Sequence, residues 1–303
     1  MRWYKGDLHA HSTASDGLEP VDVVLRQARE NGLEFFALTD HKTVDHLKLL
    51  PQDAGLILIP GFEFGDRLGH ANIFGITHLL SQNRSLDAEQ TRESLREARR
   101  VGARIAINHP FHYENTWRLP LTGVEHDWIE IWNGPWFNGN QGCLDWWQDR
   151  LAAGERIPVA GGSDCHANFP FHYYGQPTTW TAAFAPKAAA ILEALCAGRT
   201  VLSYSPDGPF IDLSCGNAIV GDVVRGNPVP CRLGIRGLVD SDIVRVVSDR
   251  GVEKERKAGC GVLSDVLDGK GRRFLRVEVL RHYPELMDYQ MAALSNPIYF
   301  AEA

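Results

Sequence analysis

The sequence predicts an α/β unit, a barrel or layered sheet, over residues 1–205 and a small β-sandwich over residues 206–303. Three observations carry this expectation. Strand and helix patterns alternate through most of residues 1–200, the mark of repeated βα units. Nearly every candidate ligand in that stretch stands just after a strand pattern, where β/α folds collect their active sites. Past Ser205 the period becomes two, with polar residues alternating outward as in half-buried antiparallel strands.

Residues 2–8 read as the first strand and deliver Gly6-Asp7-Leu8-His9-Ala10-His11. Side chains of an extended segment alternate, so His9 and His11 share a face and can meet one ion. Pro20 then opens a helix whose apolar stripe, Val21, Val24, Leu25 and Ala28, is closed by Gly32. Glu34 to Thr39 is a second strand, ending on Asp40-His41. Leu56 to Ile59 is a third, broken by Pro60-Gly61 and followed by Glu63. His70 precedes its apolar run, Ala71 to Ile76, so that strand runs the other way or the residue comes from a loop. Leu86 to Gly102 carries the row Leu95, Ala98, Val101 of an exposed amphipathic helix. Further strands, Arg104 to Ile107, Trp128 to Trp132 and Ile157 to Gly161, lead to Asn108-His109-Pro110, Asn133-Gly134 and Ser163-Asp164-Cys165-His166. A helix around Leu144 to Ala153, with Trp146-Trp147 as core, lies between the last two, and Lys187 to Ala197 is a final helix closed by Gly198.

Ser205-Pro206-Asp207-Gly208-Pro209 reads as the linker. Beyond it Ile211, Leu213 and Cys215, then Cys231, Leu233 and Ile235, then Leu275, Val277 and Val279 alternate with polar residues. Turn signals at Asp207-Gly208, Asn227-Pro228, Asp249-Arg250-Gly251 and Asp268-Gly269 separate them, and pattern and length indicate a sandwich.

Composition excludes several classes. A formal net charge of -7 without a basic stripe argues against a nucleic-acid partner. The six cysteines are scattered singly, which predicts reduced thiols. No long apolar run suggests a membrane span and no signal-peptide pattern precedes Trp3, so the expected location is cytoplasmic.

Collected in order, the strand-end residues are His9, His11, Asp16, His41, Glu63, His70, His109, Asp164 and His166. Six imidazoles and three carboxylates are donors that Zn, Mn and Fe share, and the lack of thiolate argues against a structural zinc site. Nine ligands exceed what one tetrahedral ion needs, so two or three divalent ions are expected. Asp40 either caps a helix or orients a ligand imidazole through its other nitrogen. Lys42, His112, Arg118, Asn133 and His172 lie near ligands in sequence, where they contact substrate, donate a proton to the leaving group or serve as plain loop residues. The aromatic stretches Trp132 to Phe137 and Phe169 to Tyr174 either wall the pocket or pack beneath long loops.

His9-Ala10-His11, Thr39-Asp40-His41, Gly61-Phe62-Glu63, Asn108-His109-Pro110 and Gly162-Ser163-Asp164-Cys165-His166, in that order, resemble the motifs of the PHP (polymerase and histidinol phosphatase) superfamily over residues 1–205. Gly69-His70-Ala71-Asn72-Ile73-Phe74, Glu130-Ile131-Trp132-Asn133-Gly134 and Ala293-Leu294-Ser295-Asn296-Pro297-Ile298-Tyr299 are similar to its CehA/McbA branch, which contains carbaryl hydrolase. The resemblance implies a distorted seven-stranded β/α barrel with a trinuclear metal site at its mouth. It implies His9, His11, Glu63 and Asp164 on one ion, Glu63 bridging to a second held also by His70 and His109, and Asp16, His41 and His166 on a third. His78 lies close to His70 and competes for its place.

Three divalent ions outweigh three carboxylates, so such a pocket favours a small anionic substrate. A hydroxide bridging two ions would attack it with no protein nucleophile, in keeping with the absence of Gly-x-Ser-x-Gly. The expected function is a metal-dependent phosphoesterase acting on a small phosphate ester. The alternatives are a carbamate, ester or amide hydrolase using the same ions, and a non-catalytic binding or regulatory module.

Overall fold

Short apolar runs become strands and amphipathic runs become helices in the computed structural model, which describes residues 1–51, 53–226 and 230–301. The turn expected at Asn227-Pro228 lies outside the described residues. In chain order the N-terminal segment forms β1 (Arg2–Asp7), α1 (Val21–Glu30), β2 (Phe35–Phe36), β3 (Ile57–Leu58), β4 (Gly61–Asp66), β5 (Gly69–Phe74), α2 (Ala88–Arg100) and β6 (Arg104–Ile107). It continues with β7 (Trp128–Asn133), α3 (Asn140–Ala152), β8 (Val159–Gly162), β9 (Thr178–Ala183), α4 (Ala188–Cys196) and β10 (Thr200–Ser203). The C-terminal segment adds β11 (Phe210–Cys215), β12 (Ala218–Ile219), β13 (Val223–Arg225), β14 (Cys231–Leu238) and β15 (Ile243–Ser248). It ends with β16 (Gly251–Lys257), β17 (Gly261–Leu267), β18 (Phe274–Tyr283), β19 (Asp288–Ser295) and β20 (Ile298–Ala301).

Helix α1 buries Val21, Val24, Leu25 and Ala28, the stripe that its periodicity marks, with Pro20 as its N-cap. Helix α2 starts where the Asp87 carboxylate accepts the amide protons of Glu89 and Gln90, and it buries Leu95 and Ala98. Val101, placed in the same row by sequence, is instead an exposed C-cap residue. Trp147 is fully buried, as expected. Strand β2 is shorter than its apolar run because Ala37 and Thr39 leave the regular ladder, their amides donating to Asp7 O and Ala10 O.

Strands β4 to β8 form one sheet in sequence order, antiparallel through β6 and parallel from β6 to β8. Strands β1, β2 and β3 are parallel in a second sheet, with β9 antiparallel beside β1 and β10 beside β9. The strands that carry the candidate ligands are thus divided between two sheets. Isolated bridges, Ala10 with Cys165 and His41 with Glu63, draw the sheets together there.

The second sheet does not stop at the linker. Strand β10 pairs with β19 from Val201–Ser295 to Ser203–Ala293, so the sheet runs on through the C-terminal segment to 11 strands. A separate sheet, β12-β11-β14-β17, shares one apolar core with it, built by Ile211 and Leu213, Leu233 and Ile235, Val277 and Val279 among others. The alternating residues therefore pack two layers, but one layer is common to both segments. Asn296 stitches the seam: its Nδ2 donates to Val159 O at 2.8 Å, and its Oδ1 accepts Val159 N–H at 3.1 Å. All six cysteines lack a disulfide, and Cys215 faces Cys231 across β11 and β14. Among the described residues no helix is long and apolar enough to cross a membrane.

Candidate metal centre

Parallel strands present their C-terminal ends to one side, and the loops that follow β1, β2, β6 and β8 carry His9 and His11, His41, His109, and Asp164 and His166. Glu63 comes from within β4, and His70 from the start of β5, which runs antiparallel to β4 and β6. The opposite strand direction, one of the two readings open for His70, is the one observed. His78 is exposed and stands outside the ligand groups.

All nine candidate ligands meet, in three groups whose ligand atoms lie within 4.8 Å of one another: His9, His11, Glu63 and Asp164; Glu63, His70 and His109; His11, Asp16, His41 and His166. Glu63 lies between the first two. Its Oε2 is 3.3 Å from His9 Nε2 and 3.4 Å from His11 Nε2, while Oε1 is 3.5 Å from both His70 Nδ1 and His109 Nε2. Asp164 Oδ1 is 3.0 Å from His11 Nε2. Asp16 reaches His41 Nε2 at 3.5 Å and His166 Nε2 at 3.4 Å. His11 turns Nε2 to Asp164 and Nδ1 to Asp16, 3.7 Å away, so it adjoins two groups rather than one.

Two candidate ligands and a neighbour hold backbone angles rare for side-chain-bearing residues: His109 at φ 30°, Asp164 at φ 53° and Lys42 at φ 54°. Bonds fix these turns. His109 N–H donates to Glu130 Oε2 at 3.0 Å, Asp164 N–H to His9 O at 2.8 Å and Lys42 N–H to Glu63 O at 2.8 Å. Asp7, fully buried, accepts N–H bonds from His9, Ser163 and Gly175 and so ties the end of β1 to the end of β8.

Burial disfavours charge on Glu63 and Asp164, yet the positive field of His9 and neighbouring imidazoles holds both carboxyls well below their ordinary range. Burial likewise opposes a charged His9, but Asp164, Glu63 and Glu130 together raise its pKa well above the usual histidine value. These groups are mutually charged donors, and several of their buried atoms that face the cluster have no hydrogen-bond partner: His9 Nε2, His11 Nδ1, His41 Nδ1 and Glu63 Oε2. Unpartnered buried donors of this kind, converging on shared points, fit divalent cations.

Sequence reasoning missed Glu130 as a positioning carboxylate. Its Oε1 lies 2.9 Å from His9 Nδ1, which fixes the ring so that Nε2 faces the other ligands, and its Oε2 accepts from His109 N–H and Asn133 Nδ2. Glu130→Gln is expected to weaken metal binding about 10–100-fold with the fold intact, read by competition against a chelator. The available signal was the polar residue in the otherwise apolar run Trp128 to Trp132.

Asp40 does not perform either role expected of it. Its carboxylate accepts from Ser12 N–H, Ser12 Oγ and Ser15 Oγ and stands 3.1 Å from Nδ1 of buried His46, so it braces the loop that carries Asp16. Asn133 donates to Glu130 Oε2 at 3.0 Å and to Oδ2 of the candidate ligand Asp164 at 3.2 Å, which fixes both carboxylates. His172 Nε2 bonds Ser163 O, bracing the loop before Asp164. His112 reaches the site's edge, its ring centroid 5.8 Å from that of His109. Arg118 is exposed, its backbone N–H bonded to Leu68 O, and it is not brought to the ligands. Trp132 and Trp136 are core, whereas Phe137, Phe169 and Phe171 are exposed.

In the metal-free protein burial works against a charged His166, but its bond to Asp16 and the charge of Asp164 prevail and raise its pKa to about 9. Burial chiefly brings His70 down to about 4. Ion and proton compete for the same ring nitrogen, so affinity at His166 falls as pH drops below about 9, while His70 is already neutral. Calorimetric metal titrations near neutral pH, in buffers of differing ionisation enthalpy, are expected to show net proton release that shrinks as pH rises past about 9.

No family model matches the chain. It shares the fold of a two-domain protein from Bacteroides vulgatus containing a predicted PHP-like metal-dependent phosphoesterase, with a TM-score of 0.56 and 18% identity over 97% of this chain and 95% of that one. Part of it is 36% identical to a 5'-3' exoribonuclease of Haemophilus influenzae over 103 residues, and part is 41% identical to a phosphoribosyl 1,2-cyclic phosphate 1,2-diphosphodiesterase of Eggerthella lenta over 70 residues. These matches cover 32% and 23% of this chain and only 37% and 22% of the relatives' own lengths.

Proposed function

We propose that the protein is a metal-dependent hydrolase of small phosphate esters, with residues 1–205 as its catalytic unit and 206–303 as an accessory unit. The observation that carries this reading is the meeting of nine His, Asp and Glu side chains, all but exposed Asp16 buried or half-buried, in three groups that share Glu63 and His11. His9, His11, Glu63 and Asp164 would hold one divalent ion, Glu63, His70 and His109 a second, and Asp16, His41 and His166 a third, with zinc, manganese and iron all suited to the donors. When bound, such ions supply the positive charge that neutralises a phosphate and acidify water at neutral pH.

The chain's own residues position this chemistry. Glu130 sets the His9 ring, Asn108 Nδ2 donates to Glu63 Oε1 at 2.8 Å, and Asn133 holds Asp164. Nearby hydroxyls are committed to structural bonds, Ser12 Oγ to Asp40 and Ser163 Oγ to His9 O, and burial pushes the Cys165 thiol up. None of the three is poised as a nucleophile. His112 Nδ1 accepts the Glu114 and Asn115 amide protons, so its neutral ring carries the proton on Nε2 and is suited to donate to a substrate oxygen. The partial likeness to an exoribonuclease and to a cyclic-phosphate diesterase supports phosphate esters as the substrate class.

Turnover of p-nitrophenyl phosphate and its diester against p-nitrophenyl acetate and 1-naphthyl carbamate tests the reading. Metal-dependent hydrolysis of a phosphate is expected. Hydrolysis of the acetate or carbamate alone would replace the reading with the carbamate or ester one, and no turnover would leave a binding module.

A further inference from the structure

Cys215 ends β11 and Cys231 opens β14, and the antiparallel ladder sets the two directly opposite each other. Both belong to the apolar core shared by the two layers, Cys215 3% exposed and Cys231 0%. Among the described residues no other two of the six cysteines are partners in a ladder.

The ladder also fixes which kind of pair they form. The turn from β11 to β12 has two residues, Gly216 at φ 62° and Asn217, so Cys215 and Ala218 close it as a hydrogen-bonded pair. The N–H and C=O of one strand residue leave it on the same side, and those of Cys215 are turned to β12. Towards β14, Cys215 therefore stands in a non-hydrogen-bonded pair, the kind whose Cα atoms come within about 4.5 Å and whose side chains lie closest. A disulfide needs Cα atoms about 4.4–6.8 Å apart and Cβ atoms about 3.5–4.5 Å apart, so this backbone meets the requirement with little movement. The sulfurs already meet: the Cys231 thiol is hydrogen-bonded to that of Cys215.

Burial, and then that bond, push the Cys231 thiol up, so it is a poor nucleophile at rest. Reaction waits on opening of the strand ends, where Gly216 and Asn217 after β11 and Pro230 before β14 are exposed.

We propose that Cys215 and Cys231 are the site of an intramolecular cross-strand disulfide, formed when a peroxide oxidises the pair. One sulfur, as thiolate, attacks a peroxide oxygen and becomes a sulfenic acid, and the departing hydroxide takes up the thiol proton as water. The second thiol then attacks the sulfenic sulfur, forming the S–S bond and releasing a second water. Two thiols are oxidised and one hydrogen peroxide is reduced. The bond closes residues 216–230 into a loop. That loop carries β13, which pairs with β20, and Asp222, whose carboxylate accepts from Arg199 of the N-terminal segment at 3.0 Å. The oxidised pair thus locks a contact between the two segments, a property separate from the hydrolase reading.

The test treats the folded, reduced, full-length protein with hydrogen peroxide, blocks the remaining thiols and maps peptides without reduction. Wild type is expected to yield one linked pair, Cys215 with Cys231, that dithiothreitol cleaves, and the melting temperature should rise by about 5 °C. Cys215→Ala should yield no linked pair, whereas Cys260→Ala, which removes an exposed cysteine outside the pair, should leave the link unchanged. The same oxidation in concentrated urea, where the ladder is lost, should scatter the pairing. Absence of the link in folded wild type, or links that join other cysteines, would overturn the inference and leave the two residues as core packing alone. The same single link in urea would overturn it too, since the ladder would not then be what brings the sulfurs together. A link that leaves the melting temperature unchanged would overturn the lock between segments.

Discussion

Glu63→Gln is expected to remove phosphate-ester turnover by three or more orders of magnitude, of the size seen when a unit of coupled catalytic groups is broken. Glu63 is the carboxylate between two ligand groups, within 3.5 Å of nitrogens from His9, His11, His70 and His109 and 3.0 Å from His41 Nδ1. The amide keeps the volume and can still accept the Asn108 bond, but it cannot carry the negative charge that offsets those imidazoles or bridge two cations. The fold should survive, because Phe62 and Phe64 on either side of Glu63 are fully buried in a core independent of the ligands. Circular dichroism should match wild type while bound metal drops by at least one ion per chain. A variant that keeps full metal content and activity would show that Glu63 is a structural carboxylate.

Truncation after Ser205 is expected to prevent folding of the N-terminal segment. The cut strips β19 from β10 and uncovers Val201 and Leu202, both fully buried, together with much of the core shared with Phe274, Leu275, Met291, Leu294 and Ile298. Lost burial at about 1.5–3 kcal/mol per large side chain, over five or more of them, matches or exceeds a typical net stability of about 5–15 kcal/mol. Asn296, which satisfies both polar groups of Val159, is lost as well. Residues 1–205 expressed alone should be insoluble or lack a cooperative thermal transition. A soluble, cooperatively unfolding fragment that binds metal would show that the segments are energetically separate.

The clustering of the candidate ligands was legible because each is a residue type with few other reasons to recur at strand ends, and loop position survives errors in strand length. Strand β9, Thr178-Thr179-Trp180-Thr181-Ala182-Ala183, was not legible: its buried threonines look polar. Threonine is β-branched and suits a strand, and here Thr179 Oγ1 donates to Gly161 O at 2.8 Å, hiding the hydroxyl's polarity inside the core. Strand β10 hides in the same way, with Thr200 Oγ1 donating to Val159 O. Because β9 and β10 carry the sheet across the linker, missing them made the C-terminal segment look self-contained. Glu130 and Asp40 show a related limit. Both are carboxylates beside motif residues, and only the fold reveals that Glu130 meets a ligand ring while Asp40 meets His46.

The central claim is a centre for three ions built by nine side chains, and anomalous diffraction at the manganese edge, from crystals grown with manganese, tests it most directly. The account predicts three peaks, one in each ligand group, with the Glu63 carboxylate between two of them. A single peak, or peaks held by residues other than these nine, would contradict it.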